Sequence, residues 1–197
     1  MNYWILGTII LSVISPIFYT LSILAGKAKP HRVTRLVVWL AAVVGLLGVL
    51  HSTNTPGIIF AIIFLTRASY LLIMAFIYGV GGVTLLDKYC LIIAVTALLI
   101  YAVTRSGLFA ISFGILADLI GYVPTFVKTW HQPESEDPKF FIIEGLASFL
   151  AVIAIWQFRV DILFPIYFVL CSSVVVVLIY RKRLTDKIKS LASNTTG

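Results

Sequence analysis

Charge and cysteine are scarce in this chain. Of its 197 residues only eight are acidic, fifteen are lysine or arginine, and two are cysteine. With 60% hydrophobic residues against 12% charged, and a mean hydropathy of +1.06, there is too little polar surface to cover a soluble domain of this length. Cys90 and Cys171 fall inside separate apolar runs and offer no disulfide framework, so packing is their expected role. No HExxH, GxSxG, paired histidine set or carboxylate cluster occurs. His31, His51 and His131 sit at the ends of apolar runs with a spacing that suits no metal. Neither an enzyme nor a cofactor is therefore expected. The strict alternation of a lipid-facing barrel strand is missing too, and no soluble basic domain is left over to bind nucleic acid.

What the chain does have is apolar length. Seven runs, at about 3–25, 34–51, 57–80, 88–104, 107–130, 140–158 and 162–181, approach or exceed what a helix needs to cross about 30 Å of hydrocarbon. Backbone polar groups cannot face lipid unsatisfied, so the runs are predicted as helices of an all-α polytopic membrane protein. The first lacks a basic start and exceeds a signal core in length, and it is kept as a mature helix. Alternate loops and the tail carry Lys27, Lys29, Arg32, Arg35, Lys88, Lys128, Lys139, Arg181, Lys182, Arg183, Lys187 and Lys189, whereas the other side has only Arg105 and Arg159. That asymmetry predicts a multi-pass protein of the inner (plasma) membrane, with the N-terminus outside and the C-terminus cytoplasmic. The net charge of +7 then reflects topology and attraction to lipid headgroups.

Proline marks an internal repeat. Pro16 with Pro124 and Pro30 with Pro138 lie about 108 positions apart, and Pro56 with Pro165 follows with one residue slipped; Phe18 falls onto Phe126. Such self-similarity names an architecture. The expectation is a 3+1+3 plan: a first three-helix bundle over 1–82, a linker helix over 83–106, a second bundle over 107–183 and a cytoplasmic tail over 184–197, the two bundles entering the membrane in the same direction. Pro16 and Pro124 are late in their helices and are expected to act as gating hinges. Pro30, Pro56 and Pro138 read as helix starts.

This plan, with the strings Ser15-Pro16-Ile17-Phe18-Tyr19 and Asp118-Leu119-Ile120-Gly121-Tyr122-Val123-Pro124-Thr125, resembles the SWEET and PQ-loop transporter superfamily, which includes the SemiSWEETs and vitamin transporters of the PnuC type. The resemblance spans nearly the whole chain at the level of architecture. Where that family often has Pro-Gln, this chain has Pro16-Ile17 and Pro124-Thr125. The resemblance implies a solute transporter and leaves the substrate open.

Ionisable residues inside spans mark sites by default. Arg67 and Asp118 lie about ten residues into their helices, so equal depth and opposite sign predict an Arg67–Asp118 pair across the central pathway. It serves as a solute site or as a structural bridge. Asp118, Gly121, Tyr122 and Thr125 share one helical stripe suited to a polar solute, next to small residues, Gly114, Ala117 and Gly121, that suit helix contact. Trp39 is deep enough to stack on a solute ring or to serve the core. Glu144, near the inner end of its helix, is expected to pair with Lys128 or Lys139 as an inner-gate residue. The acidic loop 131–138 and its repeat partner, the basic loop 26–32, with Lys29 aligned on Asp137, read first as two solvated loops, and as a cytoplasmic latch in the alternative.

Together these predict a transporter of a small polar solute (sugar, amino acid or vitamin-like) by alternating access. The alternative is a receptor or assembly factor on the same fold that moves nothing. A cavity between helices one, two, five and six would favour transport; solid packing there would favour a scaffold. The partners expected are the solute and membrane lipids, with self-association left open.

Overall fold

In a computed structural model, residues 3–50, 54–80, 85–104, 106–156 and 160–194 are described; His51, Arg105 and Arg159 fall outside them. The described chain is all-α: α1 (Tyr3–Leu24), α2 (Arg32–Val49), α3 (Thr55–Tyr78), α4 (Leu85–Thr104), α5 (Gly107–His131), α6 (Pro138–Ile155) and α7 (Leu163–Asn194), with short 3-10 turns at Pro133–Ser135 and Val160–Ile162. Six of these helices are long and apolar enough to cross a membrane, while the apolar stretch of α4, Lys88–Thr104, is shorter. α7 runs on to Asn194, so the tail expected from residue 184 continues the last helix.

Local chemistry sets the boundaries. α1 ends in a left-handed Gly26 (φ 70°), whose N–H bonds the Ile23 carbonyl while that of Lys27 bonds Ser22; only glycine takes that conformation without strain. Pro138 opens α6, and Asp137 caps it by accepting from the Lys139 N–H at 2.9 Å. Past α3, the Val80 N–H donates to Pro30 (3.0 Å) and the Arg32 N–H to Val80 (3.4 Å). This clip ties the end of α3 to the start of α2.

Each span turns one stripe inward. On α1, Ile5, Thr8, Ser12, Ser15, Tyr19 and Ile23 are buried, while Ile10, Val13, Ile17 and Leu21 are exposed. That is the pattern of a helix with lipid on one side. α1 packs on α6 and α5 on α2; α3 packs on both α1 and α2, and α7 on both α5 and α6; α4 packs on α2 and α5. Close approach of α5 to α2 uses small residues: a Cβ on Gly121 would meet Val37 at 3.2 Å, and one on Gly114 the Ala41 carbonyl at 3.5 Å.

The interior prolines differ in how their helices compensate. Pro124 has no N–H for the Ile120 carbonyl, and the Cys90 thiol of α4 donates to it at 3.5 Å. Cys90 thus repairs a broken helix as well as packing. In α1 the carbonyl that Pro16 leaves open is that of Ser12; the Thr20 hydroxyl donates instead to the Pro16 carbonyl, at 2.7 Å, and does not replace the lost bond.

Candidate solute site and buried ion pair

A cavity of about 550 Å³ opens among the exposed Lys27, Lys29 and Gln132 and runs inward between four helices: α1 (Tyr19), α2 (Thr34, Arg35, Val38), α5 (Gly121, Tyr122, Pro124, Thr125, Lys128) and α6 (Phe141). Its volume suits a small molecule. A second concavity, of about 640 Å³, shares Lys27 and Glu136 with it but touches neither α2 nor α5.

The first cavity's inner end is shared with a small void. Arg35, Val38 and Tyr122 line both, and the void, about 10 Å³, ends at Phe64, Arg67, Glu144 and Phe168. It has room for about one water. Arg67 of α3 and Glu144 of α6 form an ion pair there, Nη2 to Oε1 at 2.5 Å, with side chains 8% and 2% exposed. Phe64 and Phe168 flank the guanidinium at 5.1 and 5.9 Å from their ring centroids. A buried pair in aromatic walls holds its charge only while both members stay.

This corrects the expected partner of Arg67. Asp118 is fully buried, and the side chain placed to hydrogen-bond its carboxylate is Tyr167 of α7, not Arg67. Depth along two helices is one coordinate; adjacency is another, and α3 packs against α6 while α5 packs against α2, α4 and α7. Tyr167 and Cys171 of α7 lie close enough to Asp118 to interact electrostatically. Glu144 is likewise buried against Arg67 rather than paired with Lys128 or Lys139 at the surface.

Of the stripe, Gly121, Tyr122 and Thr125 line the cavity and Asp118 does not; Pro124 lines it too. Pro16 is buried in α1 and is not among its walls. Trp39 is not a wall either: its indole N–H donates to Ser69 Oγ at 2.9 Å, and the ring packs on the core between α2 and α3.

At the mouth, Lys128 pairs with Glu136 at 3.0 Å and also donates to the Ser135 carbonyl at 3.3 Å. Asp137 does not meet Lys29; it accepts from the Ser22 hydroxyl of α1. A hydrogen bond from helix to loop stands in place of the charge latch.

Compared with family models, characterised proteins and solved structures, the chain matches none. Its site must be read from its own geometry.

Arg35 and Tyr19 are the residues the sequence reading passed over. The guanidinium lies 4.8 Å from the Tyr19 ring centroid and 5.9 Å from that of Phe140. The available signal was a cation in the first turn of a helix, where the macrodipole opposes it; orientation statistics had absorbed that arginine into topology.

Proposed function

We propose that this protein is a transporter of a small polar solute, working by alternating access between two three-helix bundles, α1–α3 and α5–α7, joined by α4 as a seventh, linking span. The observation that carries the reading is the cavity between α1, α2, α5 and α6, with charged side chains at its mouth and a buried ion pair toward its inner end. The helix pairing supports the repeat: α1 on α6 answers α5 on α2, α3 on α1 and α2 answers α7 on α5 and α6, and α4 has no counterpart. With the basic loops at its mouth, the cavity would face the cytoplasm of a plasma-membrane protein with N-terminus outside, which makes this conformation inward-open.

Proteoliposome uptake of labelled sugars, amino acids and vitamins tests the function. Accumulation of at least one class above protein-free vesicles is expected. Binding of a solute without any uptake would move the protein to the receptor reading.

Hinges at Pro16 and Pro124 would carry the motion, since each lies within a helix that packs against the opposite bundle, α1 on α6 and α5 on α2. Pro16→Ala and Pro124→Ala should fold normally and slow the exchange between inward-open and outward-open states. Reagent labelling of a cysteine placed at Thr125, followed from both sides of the membrane, reads this directly; unchanged labelling rates in both variants would remove the hinges.

A further inference from the structure

The cavity is unequally charged. Lys27, Lys29, Arg35 and Lys128 line it against a single carboxylate, Glu136, and that carboxylate is already taken by Lys128 at 3.0 Å. Among the described residues no carboxylate comes within salt-bridge distance of Lys27, Lys29 or Arg35. Arg35 is the innermost of the three and half-buried. Its guanidinium leans on Tyr19 and Phe140 rather than on an acid. The guanidinium also hydrogen-bonds the Tyr19 side chain, and its remaining N–H donors are left for a planar anion of the kind guanidinium recognises, a carboxylate or phosphate. Around it the cavity is apolar and aromatic, with Val38, Tyr122 and Phe141. A wall of one sign around a confined, low-dielectric space concentrates ions of the other sign.

We propose that this cavity is a site for small organic anions, in which Arg35 binds a carboxylate or phosphate, Lys27 and Lys29 draw the anion in, and Tyr122 and Phe141 hold its apolar part. The assignment rests on reading the cavity as the solute site and narrows the class of that solute. A neutral sugar would leave the Arg35 guanidinium desolvated and unanswered; a cation would be repelled at the mouth.

Calorimetric titration of the purified full chain in neutral detergent tests this with four probes of one shape: benzoate, phenyl phosphate, benzamide and benzylammonium. Benzoate and phenyl phosphate should bind at least about tenfold more tightly than benzamide, with benzylammonium not binding. Arg35→Gln should erase the margin between benzoate and benzamide, and Arg35→Lys should keep part of it. Equal binding of benzoate and benzamide by the unaltered protein, or no binding of either anion, overturns the proposal without recourse to any variant. So does a margin untouched by Arg35→Gln. Titration in nanodiscs of phosphatidylcholine with and without phosphatidylglycerol separates the sources of the anion: benzoate binding should survive in both, and its loss with phosphatidylglycerol would give the site to a lipid headgroup and overturn the proposal. Anion binding without uptake would sink the transport reading alone, while uptake of neutral solutes without anion binding would sink this proposal alone.

Discussion

Glu144→Gln should cost the protein about 3–5 kcal/mol, because it leaves the Arg67 guanidinium buried between Phe64 and Phe168 with no counter-charge. That is a large share of the stability of a typical domain, so a sharply lowered melting temperature in detergent and poor recovery from membranes are expected. Arg67→Met should be as damaging, for it strands Glu144 instead. Asp118→Asn should be mild, within about 1 kcal/mol, since it strands no buried cation and the amide oxygen can still accept from Tyr167. The ranking sinks the ion-pair account if Asp118→Asn proves the more harmful. Joining Arg67→Met to Glu144→Met removes both charges and should restore folding. Uptake should not return with it, because the pair closes the inner end of the solute path. Recovery of both would make the pair a strut.

Under the proposed alternating access, tethering α1 to the start of α6 should lower uptake at least about tenfold, since leaving the present conformation must shift one bundle against the other there. Ser22 of α1 and Asp137 at the start of α6 are in hydrogen-bond contact. Cysteines at both positions, in a background with Cys90→Ser and Cys171→Ala, are close enough to be joined by a short bis-methanethiosulfonate. Serine at 90 keeps a donor for the Ile120 carbonyl left open by Pro124. Dithiothreitol should restore the rate. Full uptake in the cross-linked protein, with cross-linking verified by mass spectrometry, would end the rocking mechanism.

The helices were legible in the sequence because lipid demands apolar length and because proline punctuates it: Pro56 and Pro138 stand at the starts of α3 and α6 much as read. The extension of α7 was legible and missed. Leu184, Ile188 and Leu191 keep a helical period after hydropathy has fallen, and hydropathy alone ended the span at residue 181. For the site, the stripe of Tyr122 and Thr125 was visible because one helix fixes its own faces. The partner of Arg67 was not. Arg67 is twelve residues past the start of α3, Thr55, and Asp118 eleven past the start of α5, Gly107, so depth favoured the pair. Which helices touch is a tertiary fact that a repeat of prolines does not encode.

α2 and α6 are the shortest of the six long apolar helices, at 18 residues each. At 1.5 Å per residue each reaches about 27 Å, less than a typical hydrocarbon core of about 30 Å. Arg32 and Arg35 shorten the apolar part of α2 further. Hydrophobic mismatch of this sign is met by thinning the bilayer, at a cost of a fraction of a kcal/mol per ångström. A bilayer of long acyl chains therefore loads α2 and α6 first, and their N-terminal turns stand at the mouth of the cavity. Membrane thickness, set by the lipids of the compartment, becomes a mechanical input to how readily that mouth opens.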